Sequence, residues 1–534
     1  MLNLVSRMTR VKPESVIFDE IAEEQKEGNG LRKTQTFFTI TLFGAANVIG
    51  VGIFVTAGTA AGKIAGPGVI MSYVLGGLTC ALTGVCYARF SSRLASSGSA
   101  YTYVYSSLGE IFAFFAGLGL CSETSIASAA LARSWAAQLR LVSQARWIPE
   151  PYPIIKDFVV VDILAPVLCV LITIACLSGM RESARFGTTM TLFNCGMILI
   201  FIFTAFFTRF DTDNFTPALP WGVQGVMKAT SLTLFSYVGW DSVCCLSEEV
   251  KNPQRVIPMA IGANLLLVGT LYCLMAAALI GMAPVSFLEK TPDLADVFDY
   301  RGVGWAAQFV RYGILLTTAT ASLASAQGQP RIWFRMARDG LLPASLCRLD
   351  NRGTPLFAIG ATGLITVLVS LLIDVDKIFD IIVVGVLLMQ AFVCIGCLIW
   401  ETEQAGGSRE GMIWKSLALS LCCVMLGGSF QETQADNPSG GSWLVVSYVF
   451  LAGSVASAIA VVYSLGAKRW SRGIIPALAT ALNFFYTGSL SFIYMGVLLG
   501  AYAFISLIYF LYGIRHSRLG AAEARNEQET VDKS

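Results

Sequence analysis

The stretch GAANVIGVGIF, residues 44–54, lies inside the first long apolar run of the sequence and carries glycines at positions 44, 50 and 52. Glycine in a helix interior costs roughly 1 kcal/mol relative to alanine, and a membrane offers no water to hydrogen-bond a loosened backbone. The question is therefore whether this helix is interrupted near its middle and whether the interruption has a function.

The composition predicts a multi-pass membrane protein. Hydrophobic residues make up 55% of the 534 residues and charged residues only 13%, whereas ordinary soluble proteins have about 25% charged residues. Because a bilayer core needs about 20 apolar residues per helix, we searched for runs near that length. Fourteen are present: 37–62, 68–88, 110–137, 158–178, 188–207, 222–246, 257–282, 303–328, 355–373, 378–400, 414–429, 443–465, 474–489 and 491–513.

A second interruption occurs in the sixth run, at LFSYVGWD, residues 234–241. Broken helices at matching positions of two five-helix halves are typical of secondary transporters with a binding site near the bilayer midplane. We therefore predict an all-α membrane protein with a 5+5 inverted-repeat transporter fold, four additional C-terminal helices and about 14 spans. The predicted units are a cytoplasmic N-terminal segment (1–36), a first repeat (37–207), a second repeat (222–400), the C-terminal spans 11–14 (414–513) and a cytoplasmic tail (514–534).

The two breaks expose backbone groups that suit the zwitterionic head of an amino acid. If the first helix unwinds around Gly50, the amides that follow lie at the N-terminus of a half-helix, which favours a carboxylate. Carbonyls at both breaks are then free to accept from an ammonium group. The groups concerned are the amides of Val51, Gly52 and Ile53 and the carbonyls of Val48, Ile49, Phe235 and Ser236. The alternative is that the glycines only permit close helix packing.

The charges and the motifs exclude other classes of protein. Lysine and arginine concentrate in alternate connecting segments, which predicts cytoplasmic N- and C-termini. The net charge of +2 gives no indication of nucleic-acid binding. The single histidine, His516, and the lack of a clustered metal-binding or nucleotide-binding motif predict a protein that is not an enzyme and has no metal or cofactor.

Six motifs identify a resemblance to a known family: NVIGVGIFVTAG (47–58), AGPGVIMSY (65–73), YARF with SGSAYTYVYSSLGE (87–110), EEVKNPQRVIP (248–258), QPRIWFRMARDGLLP (329–343) and YGIRHS (512–517). The chain resembles the cationic amino acid transporter family of the amino acid–polyamine–organocation superfamily, over nearly its whole length. The resemblance implies alternating-access transport of cationic amino acids of the arginine, lysine and ornithine class. Loop 138–157 lacks the cysteine by which twelve-helix relatives bind a heavy chain, so we expect no disulfide-linked heavy chain.

The resemblance also assigns roles to side chains. It implies that Phe235 stacks over the substrate side chain, with Ser236 and Tyr237 completing that part of the cradle. Glu123 lies deep in the third span, where an acidic residue is a functional candidate by default. Ser325, a small residue near the end of span eight, leaves room for a long substrate side chain. Two further acids, Glu110 and Asp241, lie at helix starts and are expected to give structural support.

The prediction of what drives transport depends on the residue at position 194, which is an asparagine. Proton-coupled relatives carry a lysine at this position of span five, whereas an amide has no proton to give. We therefore predict voltage-driven uniport, with proton coupling through Glu123, or a broader amino acid or polyamine specificity, as the alternatives. An amino-acid-sensing receptor on the same fold is the alternative of another class.

Three further expectations concern glycosylation, contact with lipid and cellular location. Asn214, in NFT, is a candidate glycosylation acceptor in an outer loop. The mixture of arginines and large apolar residues in 329–343 predicts an amphipathic helix lying on membrane lipid after span eight. We expect the plasma membrane as the location, with the vacuole or another endomembrane as the alternative.

Overall fold

The computed structural model describes residues 7–26, 35–50, 52–94, 96–143, 149–155, 159–178, 180–208, 210–291, 293–350, 354–373, 375–432, 440–465, 470–490 and 492–520. Helices account for most of these residues. The first half contains α1 (Glu14–Lys26), α2 (Phe37–Val48), α3 (Ala57–Ala60), α4 (Val69–Ser91), α5 (Ala100–Ser107), α6 (Glu110–Ser143), α7 (Leu164–Ser178), α8 (Met180–Thr208) and α9 (Gly222–Leu234). The second half contains α10 (Pro253–Met282), α11 (Val285–Leu288), α12 (Leu294–Tyr300), α13 (Gly304–Arg338), α14 (Leu356–Leu372), α15 (Val375–Gln404), α16 (Arg409–Glu432), α17 (Gly440–Ser464), α18 (Trp470–Gly488), α19 (Phe492–Ile508) and α20 (Ile514–His516).

Shorter elements complete the description. The 3-10 helices are Gly66–Gly68, Thr212–Phe215, Phe235–Tyr237, Trp240–Glu249 and Ala344–Cys347, and the π-helical segments are Gly52–Thr56, Ala61–Ala65 and Tyr509–Gly513. Strands β1 (Tyr152–Ile155) and β2 (Val159–Val161) pair antiparallel, with Tyr152 opposite Val161.

The helices confirm an all-α membrane protein. Among the described residues, seven helical stretches are long and apolar enough to cross a membrane, and α2, α7 and α14 are shorter apolar helices. Every one of the fourteen apolar runs contains helical structure, although run 158–178 also includes strand β2. The runs therefore correctly located the helices, while the number that cross the membrane stays a prediction.

Both predicted interruptions occur in the structure. Helix α2 begins at a capping box made by Thr36 and Thr39 and ends at Val48, where Ile49 turns to an extended conformation. The chain becomes helical again at Gly52. We call this the first break.

The second break separates two 3-10 helices. Val238 has extended backbone (φ −57°, ψ 135°), and Gly239 adopts the left-handed conformation with φ 99°. A side chain at position 239 would be strained in that conformation, so the turn requires glycine. The backbone then continues into Trp240–Glu249.

Helix packing brings counterparts of the two halves together. Span two (α4) packs on span seven (α10), span three (α6) on span eight (α13), and span four (α7) on span nine (α14). Three helices thus touch the helix that lies five predicted spans later in the chain. This arrangement places both breaks in the interior of the molecule.

The separate interfacial helix predicted over 329–343 is wrong. Helix α13 continues through this segment to Arg338, and the side chains of Arg331 and Arg335 are buried rather than exposed on an outer face. Arg331 forms an ion pair with Glu249, at 2.8 Å between Nη2 and Oε1. The sequence pattern could not reveal this because the acidic partner comes from a distant element.

The N-terminal segment is fastened to the same end of α13. Lys12, which is 4% exposed, contacts Asp339 and Glu20 at 2.6 Å each, and Arg335 contacts the same Glu20 carboxylate at 2.6 Å. Ile17 of α1 is fully buried in the core. Residues near the N-terminus are therefore part of the folded body.

Candidate functional site

A cavity lies between the two breaks. Its volume is about 30 Å³, measured to the centres of water-sized spheres. One water needs roughly 10–15 Å³ by this measure, so the cavity holds only a few waters and its walls must move to admit an amino acid. The lining residues are Asn47, Val48, Gly50, Gly52, Glu123, Thr124, Ala127, Leu131, Phe235, Val238, Gly239 and Ser325.

Six of the eleven predicted substrate residues line this cavity together: Val48, Gly50, Gly52, Glu123, Phe235 and Ser325. Ile49 and Ile53 are fully buried beside it, and Val51 lies outside the described residues. Tyr237 does not line the cavity and instead donates a 2.9 Å hydrogen bond to the Tyr73 carbonyl. These six residues come from the predicted spans one, three, six and eight, which therefore meet at this cavity.

The glycines of the first break allow close approach of backbone. A Cβ atom at position 52 would lie 2.5 Å from the Ser236 Cα atom, a distance that real structures do not show. A Cβ atom at position 50 would lie 3.0 Å from the Leu131 Cδ2 atom. Gly52 thus permits the contact between the two breaks, and Gly50 the contact with α6.

Polar groups at the breaks are already engaged. Val48 and Ser236 carbonyls, both predicted to face an ammonium group, accept hydrogen bonds from the Tyr272 hydroxyl at 2.8 and 3.0 Å. The Thr56 and Ser236 hydroxyls are 2.9 Å apart. Since a carbonyl oxygen has two lone pairs, each of these carbonyls keeps one for a ligand.

Glu123 is the acidic group of the cavity. Its side chain is 4% exposed, and its Oε1 atom accepts no hydrogen bond from any described residue. The charged group that acts on it electrostatically is Asp241, a second acid. A buried carboxylate oxygen without a partner is costly, so the site favours a ligand or a proton that supplies positive charge.

Asn194 joins span five to span eight. Its Oδ1 atom accepts from Thr317 at 2.9 Å, and its Nδ2 atom donates to Thr320 at 3.1 Å. Asn194 is 2% exposed. Both ends of the amide are therefore engaged by uncharged hydroxyls.

The two supporting acids lie away from the cavity lining. Glu110 accepts hydrogen bonds from Tyr105 and Tyr509 at 2.9 Å and from Ser517 at 2.6 Å. Its contacts thus fasten the start of α6 to the C-terminal segment. Asp241, which is 4% exposed, is the second residue of the 3-10 helix Trp240–Glu249 that follows the second break.

Asn214 lies in the 3-10 helix Thr212–Phe215, and its side-chain amide donates to the Gly281 carbonyl at 3.3 Å. A glycan on that nitrogen replaces one of its two hydrogens and leaves one N–H for this bond. Its glycosylation stays a prediction.

Sequence reasoning missed half of the cavity lining and the tyrosine behind it. Ala127 and Leu131 follow Glu123 at four and eight residues, so the face of α6 that carries Glu123 predicts them, whereas Thr124 is its immediate neighbour in the chain. Tyr272 carries no comparable signal, because tyrosines are common in membrane helices. Among the described residues, no group of three His, Cys, Asp or Glu side chains could hold a metal ion.

Comparisons with known proteins identify the family of this chain. A family model described as amino acid permease matches residues 36–434. Cationic amino acid transporter 1 of Arabidopsis thaliana is 28% identical over 544 aligned residues, covering 99% of this chain and 90% of that protein. In Bacillus subtilis, the methylthioribose transporter is 33% identical over 71% of this chain and 84% of its own length, and the branched-chain amino acid permease BcaP is 30% identical over 73% and 85%. Because the family model covers most of the sequence, the chain belongs to the amino acid permease family.

Proposed function

We propose that this permease moves cationic amino acids of the arginine, lysine and ornithine class across a membrane by alternating access. The observation that carries the proposal is Glu123, a buried carboxylate in the cavity between the two breaks whose Oε1 atom has no partner among the described residues. A guanidinium or ammonium group would supply both the charge and the hydrogen bonds that this carboxylate lacks.

The rest of the cavity suits the other parts of such a substrate. The first break offers helix N-terminal amides from Gly52 onward to the carboxylate, and free lone pairs of the Val48 and Ser236 carbonyls to the α-ammonium. Phe235 can stack over the cationic side chain, which is worth about 1–2 kcal/mol when water is excluded. Ser325 leaves space at the distal end.

The packing of α4 on α10, α6 on α13 and α7 on α14 supports a 5+5 inverted repeat. Two repeats related by a pseudo-two-fold axis bring equivalent helices together near that axis. The substrate site would then lie where the repeats meet, and rocking of one group of helices against the other would expose it to each side in turn. The helices after α15 would be spans 11–14.

Voltage is the proposed energy source. Asn194 has no proton to exchange, and its amide is held by Thr317 and Thr320. A cationic substrate carries its own charge, so the membrane potential alone would draw it inward.

Uptake into liposomes by the purified protein tests the proposal. Radiolabelled arginine, lysine and ornithine should be taken up, with neutral and acidic amino acids competing more weakly. Glu123→Gln should reduce arginine uptake at least tenfold, because a hydrogen bond to a charged group contributes about 1.5–3 kcal/mol. Equal arginine uptake by the variant and the wild type would contradict the proposed role of Glu123.

Glu110→Gln is the matched control. Glu110 is also a buried acid, but three hydroxyl groups outside the cavity donate to it: Tyr105 and Ser517 to Oε2 and Tyr509 to Oε1. A glutamine oxygen can still accept from the first two, and its amide nitrogen can donate to the Tyr509 oxygen. Its substitution should leave the order of preference among substrates unchanged, even if the protein is less stable.

Proton-coupled transport of neutral amino acids is the second candidate function. The same observation favours it, because protonation of Glu123 would also remove the unpaired charge beside Asp241. In that case leucine or alanine uptake would require a pH gradient, and Glu123→Gln would transport a neutral substrate without one.

We place both termini in the cytoplasm, with the protein in the plasma membrane. The N- and C-terminal segments support a common side, since Lys12 and the Arg518 amide both contact Asp339. We propose membrane lipid as the surroundings and no disulfide-linked heavy chain.

A further inference from the structure

The Tyr272 hydroxyl lies where the two breaks meet. Its oxygen is 2.8 Å from the Val48 carbonyl at the end of α2 and 3.0 Å from the Ser236 carbonyl just before the second break. Carbonyls at a helix C-terminus have no partner within their own helix, and a membrane interior offers little water to replace one. A hydroxyl has one proton, so the two carbonyls, which come from two broken helices, share the proton of a single tyrosine.

A second connection starts from the same serine. The Thr56 and Ser236 hydroxyls are 2.9 Å apart, and Thr56 also donates to the Gly52 carbonyl. Val48 precedes the first break, whereas Gly52 and Thr56 follow it. Both halves of the first helix are therefore fastened to Ser236, one through Tyr272 and the other through Thr56. We call these four residues, Val48, Thr56, Ser236 and Tyr272, the break-spanning ring.

The surroundings fix the position of Tyr272. The side chain is fully buried, and its ring makes edge contacts with those of Tyr73 and Tyr237 at centroid distances of 5.6 and 5.4 Å. The break-spanning ring therefore connects the first, sixth and seventh predicted spans, and the aromatic contact of Tyr272 with Tyr73 of α4 places the second span against it. Neither Tyr272 nor Thr56 lines the cavity.

We propose that Tyr272 is a positioning residue for transport, and that the break-spanning ring makes the two interrupted helices move as one unit. This inference rests on the proposed transport function. A broken helix cannot transmit motion through its own backbone hydrogen bonds. The ring restores that connection, and leaves the amides and carbonyls of the breaks in place for a substrate.

A double-mutant cycle tests the ring. Tyr272→Phe and Thr56→Val each remove a hydroxyl and keep most of the side-chain volume. Each should lower the maximal rate of arginine uptake per folded transporter by about tenfold, the order expected from one buried hydrogen bond, with KM within about twofold of wild type. Because either change already opens the ring, the double variant should be little worse than the single ones.

Tyr87→Phe is the control. Tyr87 is fully buried in α4, and its hydroxyl has no hydrogen-bond partner among the described residues. The Tyr87→Phe variant should transport like the wild type. The double variant with Tyr87→Phe and Tyr272→Phe should transport like Tyr272→Phe alone. Two results overturn the proposal: single ring variants with a normal maximal rate, or a double variant whose loss is the product of the single losses, about hundredfold.

Melting temperatures of the same variants separate this inference from the proposed function. If the wild type takes up no cationic amino acid, the proposed function fails, while the ring is still testable without substrate. Shifts for Tyr272→Phe and Thr56→Val that do not add in the double variant then support the ring, and shifts that add contradict it.

Discussion

Gly52 lies directly against Ser236, so that a Cβ atom at position 52 would be 2.5 Å from the Ser236 Cα atom and 3.0 Å from its Cβ atom. Position 52 starts the outgoing half of the first interrupted helix, and Ser236 precedes the second break. The contact is between backbone and backbone, so no flexible side chain can move aside to relieve it. Because glycine carries only a hydrogen atom in place of a side chain, the two breaks can approach to this distance.

We expect Gly52→Ala to lower arginine uptake at least tenfold and Gly52→Leu to abolish it. Overpacking of this kind costs about 1–3 kcal/mol, which displaces the breaks without unfolding a protein of this size. Uptake should be measured in liposomes, with surface delivery and melting temperature followed in parallel.

Gly262→Ala supplies the comparison for this prediction. Gly262 lies in α10, and a Cβ atom there would meet no atom within 4 Å. The Gly262→Ala variant should therefore transport arginine at the wild-type rate. Normal uptake by Gly52→Leu would mean that the first break is not part of the site.

The sequence predicted the parts of the site that depend on local backbone properties. Glycines in apolar runs indicated both breaks, and the depth of Glu123 in its span indicated a functional acid. The sequence did not predict Tyr272, whose role depends on two carbonyls more than 30 residues away from it along the chain. Arg331 was misplaced for the same reason, because its burial depends on Glu249, which lies 82 residues earlier. Local patterns can show that a backbone is weakened, but they do not reveal which distant side chain compensates for it.

The size of the side chain at position 325 should control the room for the substrate side chain. Ser325 is 5% exposed and lines the same cavity as Glu123. We expect Ser325→Met to weaken arginine uptake more than alanine uptake, because the added volume occupies the space that a long side chain needs. Competition assays with both amino acids measure the ratio.

Ala326→Met tests whether any bulky residue on α13 has the same effect. Ala326 lines a different small cavity, between α6, α7, α13 and α14. Its substitution should reduce the uptake of both amino acids in equal proportion. An equal loss from Ser325→Met as well would show that Ser325 does not contact the substrate side chain.

Asp339 should control the attachment of the N-terminal segment. Burial alone would raise the pKa of its carboxyl, but Lys12 and then Arg335 outweigh burial and hold the pKa below its usual value of 3.8. A lowered pKa stabilises the folded state at pH values above the unfolded-state pKa, and that contribution is lost as the pH falls through the folded-state pKa. The attachment should therefore be constant from neutral pH to about pH 4 and weaken below it.

Asp339→Asn should release the segment at neutral pH. The substitution leaves the buried Lys12 without one of its two acidic partners, and breaking a buried ion pair costs about 3–5 kcal/mol. Limited proteolysis should then cleave within residues 7–26 faster than in the wild type. Asp213→Asn, a change at an exposed position of the 3-10 helix Thr212–Phe215, should leave the cleavage rate unaltered. Unchanged cleavage of Asp339→Asn would show that this ion pair does not hold the segment.

The membrane potential should drive uptake on its own. One positive charge crossing 100 mV gains about 2.3 kcal/mol, which at about 1.4 kcal/mol per decade supports roughly fortyfold accumulation. In liposomes with an imposed potassium diffusion potential, negative inside, arginine should accumulate toward this ratio, and a sodium or pH gradient at zero voltage should have little effect. The reason lies in Asn194, whose amide bonds to Thr317 and Thr320 without a group that can bind or release a proton. Arginine uptake that requires a proton gradient at zero voltage would instead identify Glu123 as the coupling group, and Glu123→Gln should then abolish the pH dependence.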